Sequence, residues 1–120
     1  MKVVMANNYY YLRGGSERVM FDEIDGLREH GYEIFPFSRR HHSNLIESPF
    51  FVNNFDLSER MTPLQKLKAA RRIIYSPETV RKLSALLQES EADLVHGHNI
   101  YGGLSFSAVA AAKKRKVPFV

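Results

Sequence analysis

The sequence contains no cysteine, so disulfides and thiolate-ligated metals are excluded, and a reducing compartment suits the chain. Long apolar runs are missing too. Met1-Lys2-Val3-Val4-Met5-Ala6 is apolar for only a few residues before Asn7-Asn8, far short of a signal-peptide core or of the ~20 apolar residues of a membrane span. A cytoplasmic location is therefore expected. Neither a GxGxxG fingerprint nor a Walker P-loop is present, so ordinary nucleotide-binding patterns explain none of the glycines. There is no internal repeat and no low-complexity segment. The net charge is mild, a formal +4, but bases cluster at Arg39-Arg40, Lys66 to Arg72 and Lys113 to Lys116. Such clusters permit contact with phosphates, anionic lipid or nucleic acid without choosing among them.

What is present suits one compact domain, residues 1–120, because 120 residues with 44% hydrophobic content would leave each of two domains with a marginal core. The apolar run Lys2 to Ala6 reads as a buried strand delivering the chain into a Tyr- and Gly-rich loop. A helix from about Ser16 to His30 follows, with Ser16 as its cap, Met20, Ile24 and Leu27 on one face, and Gly31 past its end. Tyr32 to Phe37 is a second strand, residues 38–48 a loop, and Phe50-Phe51-Val52 a short strand. Thr62-Pro63-Leu64-Gln65 has the form of a capping box and opens a helix. Ser76-Pro77-Glu78 opens another, with Val80, Leu83 and Leu87 on one face. Leu94-Val95-His96 is the next strand, Gly102-Gly103 precede an Ala-rich helix ending in Lys113 to Lys116, and Val117 to Val120 begins a further strand. Strands alternating with helices predict an α/β fold, a parallel sheet with helices on both faces. Ligands of such sheets bind beyond the strand C-termini, so residues 7–16 and 97–103 should share one rim.

Three features on or near that rim carry candidate chemistry. Arg13-Gly14-Gly15-Ser16 lies between strand and helix, where glycines permit close backbone approach and free helix N–H groups favour a diphosphate, or else merely form a tight turn with a cap. His96-Gly97-His98-Asn99 follows an apolar strand, so alternation points both histidines to one side while Gly97 admits a ligand or a neighbouring backbone. A buried structural His96 and a polar ligand contact by His98 are the favoured roles. No metal is expected, since no third ligand stands at a characteristic spacing. His41-His42 reads as solvated loop, where neighbouring side chains need not share a direction. Residues 64–75 form a basic amphipathic helix, with its apolar face in the core or docked peripherally on the inner face of a membrane. Without interleaved aromatics it offers no specific nucleic-acid site. An incomplete sheet edge suggests that the chain self-associates.

The run NNYYYLRGGSER, Asn7 through Arg18, resembles the opening loop of the retaining GT-B glycosyltransferases of family four. Asp93-Leu94-Val95-His96-Gly97-His98-Asn99-Ile100-Tyr101 is similar to that family's segment of Asp, hydrophobic, Val, His, any residue, His, Asn. The resemblance implies the N-terminal, acceptor-side half of a GT-B fold, itself Rossmann-like. It implies a nucleotide diphosphate sugar as donor substrate, a glycan or lipid-linked acceptor, and no tightly bound cofactor. It gives Gly14, Gly15 and Ser16 to the donor phosphate or sugar and places His98 at the reaction centre. Arg13, His96, Asn99 and Tyr101 would line the cleft. Leu12 stands where many members have proline. The family's two donor-domain glutamates eight positions apart have no counterpart. The chain is thus expected to be a truncation, a remnant or one partner of a split enzyme, and to be inactive alone.

Overall fold

The computed structural model describes residues 1–53, 62–100 and 103–120. Their elements, in chain order, are β1 (Lys2–Ala6), α1 (Gly15–Glu29), β2 (Glu33–Phe37), α2 (Pro63–Ile74), α3 (Pro77–Ser90), β3 (Leu94–Gly97) and α4 (Ser105–Lys114). The three strands form one parallel sheet in the order β2-β1-β3, so the expected α/β class is observed. β1 lies at the centre, with Val4 opposite Phe35 on one side and Val95 on the other.

The period of two along β1 divides the core. Val3 and Met5 face one side, where they pack with Met20 and Ile24 of α1 and with Tyr10, Ile34 and Phe51. Val4 and Ala6 face the other, against Leu83, Leu86 and Leu87 of α3 and Ala108, Ala111 and Ala112 of α4. A strand buried on both faces needs apolar residues at every position, and this is why the run from Val3 to Ala6 is continuous rather than alternating. Each fully buried side chain such as Met20 or Ile24 contributes about 1.5–3 kcal/mol. Ala108, Ala111 and Ala112, all without exposed surface, let that helix approach its neighbours closely.

Helix starts follow the sequence signals in two of three cases. Thr62 and Gln65 form the expected capping box, Thr62 Oγ1 accepting from Gln65 N at 3.2 Å while Gln65 Oε1 accepts from Thr62 N at 3.0 Å. Ser76 Oγ likewise accepts from Thr79 N at 3.2 Å. At α1 the expectation fails: the cap is Gly14, with no side-chain cap bond. Ser16 lies inside the first turn, and its hydroxyl donates to Glu17 Oε2 at 3.1 Å. Replacing Thr62 with alanine is expected to cost about 1 kcal/mol, measured as faster amide exchange in the first turn of α2.

Residues 50–52 do not form a strand. Only Val52 bridges, in parallel, to Arg39, while Phe51 N donates to Ser48 O. Phe51 packs with the α1 side of the sheet and Val52 with the opposite side, so their apolarity serves to wrap the sheet edge. The expected final strand is a single bridge, Val95 to Phe119, with Val120 N donating to Val95 O at 2.9 Å. This segment lies along the outer edge of β3. In α2, Leu64 and Leu67 are 62% and 57% exposed, so these two leucines are outside the core. Among the described residues no helix is long and apolar enough to cross a membrane.

Candidate functional site

Because all three strands are parallel, the loops that leave β1, β2 and β3 emerge at one end of the sheet. Two buried asparagines tie them together. Asn7 Oδ1 accepts from Asn99 N at 2.9 Å, and Asn7 Nδ2 donates to Tyr9 O at 2.6 Å and to Glu17 Oε1 at 3.4 Å. Asn8 N donates to Asn99 O at 2.9 Å, and Asn8 Oδ1 accepts from Leu104 N, the residue preceding α4, at 3.0 Å. Arg39 N, past the end of β2, donates to Asn8 O at 3.2 Å. One asparagine pair thereby joins the glycine-bearing loop, the histidine-bearing loop and the start of the loop after β2.

Gly14 and Gly15 are exposed on this rim. Gly14 has φ −164°, extended backbone open to any residue, so torsion does not demand glycine here. A Cβ on Gly15 would meet nothing within 4 Å, which leaves the space above the turn free for an incoming group. Glu17 is buried beneath it, its Oε2 3.6 Å from the Cβ position of Gly14. A carboxylate thus already faces the positive end of α1, while Gly15, Ser16 and Arg13 lie on the exposed side of the turn. The Arg13 guanidinium lies 4.4 Å from the Tyr9 ring centroid, a cation–π contact that aims it across the loop.

His96 and His98 point the same way, as strand alternation predicts. Their rings stack at 4.6 Å with planes 15° apart. His96 is in register with Met5 and so faces α1, where Glu23 meets both rings: His96 Nδ1 is 3.0 Å from Oε1, and His98 Nε2 is 3.3 Å from Oε2. Burial holds the His98 imidazole below its ordinary pKa, with His96 adding to that shift and Glu23 opposing it. Glu23 escapes sequence reasoning that treats it as an acidic residue early in a helix. Its signal was positional: three residues after buried Met20, it flanks the stripe of α1 that faces the sheet.

Other expectations need correction. Gly97 does not make room for a ligand: a Cβ there would lie 2.6 Å from Phe119 Cζ, so the glycine admits that ring. Gly103 is equally confined, its Cβ position falling on Asn8 Oδ1 and 2.8 Å from Arg39 Cδ. His41 and His42 share a direction after all. Their rings stack at 4.2 Å, and Tyr11 continues the column at 4.7 Å from His41. Asn44 and Leu45 pin this loop to the first one: Tyr10 N donates to Asn44 Oδ1 at 3.0 Å and Leu45 N to Tyr10 O at 2.9 Å. Beside the column opens a cavity of about 630 Å³ whose lining includes Arg40, His41, His42, Asn44 and Phe51. Asn99 is half-buried, with its backbone committed to Asn7 and Asn8. Tyr101 lies outside the described residues.

The family model described as Glycosyltransferase Family 4 matches residues 13–120, from Arg13 through both histidines to the last residue. The chain belongs to that family. No curated protein sequence matches it. Among solved structures it is similar to a UDP-GlcNAc 2-epimerase from Neisseria meningitidis, determined bound to UDP-GlcNAc, with a TM-score of 0.59 and 19% identity. That match covers 99% of this chain and 31% of the epimerase chain. At such identity the likeness establishes the fold, a Rossmann-like half of the GT-B type, and the family 4 chain spans about a third of the neighbour's length.

Proposed function

We propose that this chain is the acceptor-side half of an enzyme that transfers a hexose from a nucleotide diphosphate sugar to a glycan or lipid-linked acceptor, with retention at the anomeric carbon. The observation that supports it most is the Asn7 side chain, which bonds both to Glu17 below the glycine turn and to Asn99 beside His98. Family membership across residues 13–120 and the nucleotide sugar held by the fold neighbour support the donor class.

In this reading the bond from the anomeric carbon to the diphosphate oxygen breaks as an acceptor hydroxyl bonds to the same face, the leaving diphosphate gathers charge, and its departing oxygen takes the hydroxyl proton. Gly15 and Ser16 N–H groups and the Arg13 guanidinium stabilise that charge without reorganising. His98 contacts the transferring sugar, His96 and Asn99 line the cleft, and the cavity beside the Tyr11–His41–His42 column receives the acceptor. The exposed Leu64 and Leu67, next to Lys66 and Lys68, form the surface for peripheral contact with anionic lipid.

A coupled assay for released nucleoside diphosphate tests the proposal. The two-domain enzyme carrying this chain should release it only when both sugar donor and acceptor are present, and the 120-residue chain alone should not. Tight glycan or nucleotide binding by the two-domain protein, without release from any of several sugar donors, would make it a binding module instead.

A further inference from the structure

The fold brings together three side chains that sequence spacing kept apart. Glu23 of α1, His96 of β3 and His98 just after it each offer a ligand atom, and the three atoms all lie within 4.8 Å of one another. The contacts of 3.0 Å from His96 Nδ1 to Glu23 Oε1 and 3.3 Å from His98 Nε2 to Glu23 Oε2 end on different oxygens of one carboxylate, and a small turn of Glu23 that presents a single oxygen to both nitrogens would give the roughly 3.3 Å separations of donors around a tetrahedral zinc ion. The rings stack nearly parallel, so one imidazole must turn about its Cβ–Cγ bond for both in-plane lone pairs to meet one ion, while the strand end that carries them is fixed on both sides: His98 N donates to Ala6 O, and Gly97 N to Val120 O, each at 2.9 Å.

A second observation concerns His98 itself. Its Nε2 is buried and makes no hydrogen bond among the described residues, so the 3.3 Å approach to the carboxylate lacks the alignment of an N–H···O bond. Buried ring nitrogens are ordinarily satisfied, and a cation between imidazole and carboxylate would satisfy this one. The donor set narrows the choice of ion. Two imidazole nitrogens and one carboxylate oxygen suit a divalent first-row transition metal, whereas magnesium and calcium prefer all-oxygen sites. Three protein ligands leave a fourth position open.

We infer that Glu23, His96 and His98 form a binding site for a divalent transition-metal ion, with zinc as the best-matched occupant. The His-x-His pair supplies two ligands from the β3 end, and α1 supplies the third across the sheet face. The ion would hold His98 through Nε2, leaving Nδ1 as the ring nitrogen for a sugar contact. The site stands apart from the transfer reading, since metal affinity is measured without donor or acceptor.

Zinc titrated into the metal-free 120-residue chain, by calorimetry and by competition with a chromophoric chelator, should bind at one ion per chain with Kd below about 10 µM. Glu23→Gln and His98→Ala should each weaken it at least about 10-fold. The double variant His41→Ala/His42→Ala, which removes the other histidine pair, should retain the parent affinity. Nitrogen-15 spectra of the parent chain's imidazoles provide a reading independent of variant folding: zinc should shift His96 Nδ1 and His98 Nε2. The inference is overturned by affinity weaker than about 100 µM, by undiminished binding in Glu23→Gln and His98→Ala, or by shifts confined to His30, His41 and His42.

Discussion

If the proposed transfer reading holds, valine at position 15 is expected to lower turnover of the two-domain enzyme by at least about 100-fold, because displacing a transferring group by an ångström is enough to cost that much. Folding should be untouched. The Cβ position at Gly15 is open for 4 Å around, and replacing a helical glycine by valine changes intrinsic helix propensity by less than about 1 kcal/mol. The separation of effects is the informative part. A side chain in empty space can harm catalysis only by excluding something that enters from outside, so a large loss of kcat at unchanged urea midpoint would identify the glycine turn as a site of close ligand approach. Unchanged turnover would remove the turn from the site.

The Asn7→Ala variant is expected to show the opposite pattern, a loss of about 2–3 kcal/mol in stability. Asn7 has no exposed surface, and its removal strips partners from three buried or half-buried groups at once: the Asn99 N–H, the Tyr9 carbonyl and the Glu17 carboxylate. Glu17 matters most, because a carboxyl group that is 3% exposed would keep only the Ser16 hydroxyl as a side-chain partner among the described residues. Urea unfolding should show a lower midpoint with an unaltered slope. A loss below about 0.5 kcal/mol would mean that the loops hold together without this link.

These two positions also show what the sequence could and could not convey. Features set by neighbouring residues were legible: the continuous apolar run of β1, the capping box at Thr62, the Ser76 cap and the common direction of His96 and His98 all follow from chain geometry over two to four residues. The sheet class followed from the order of those elements, and the shared rim followed from the sheet being parallel. Contacts between distant segments carried no local signature. Nothing near Gly97 announces Phe119, and nothing near His98 announces Glu23. The bonds from Asn7 and Asn8 to residues past β3 are equally silent in sequence. Ser16 misled because a cap residue and a first-turn serine look alike in one dimension. Phe51 and Val52 misled because apolar residues that wrap a sheet edge resemble those that extend it. The stacked column of Tyr11, His41 and His42 was hidden for a different reason: its loop is pinned by Asn44 and Leu45 to Tyr10, a constraint that exists only once β1 and β2 are paired.

The most direct measurement is a structure of the proposed two-domain enzyme soaked with an intact nucleotide sugar. Donor diphosphate or sugar oxygens should lie at hydrogen-bond distance, about 2.7–3.2 Å, from the Gly15 or Ser16 backbone N–H, with the His98 ring beside the transferring sugar. A donor seated away from both the glycine turn and His98 would contradict the account.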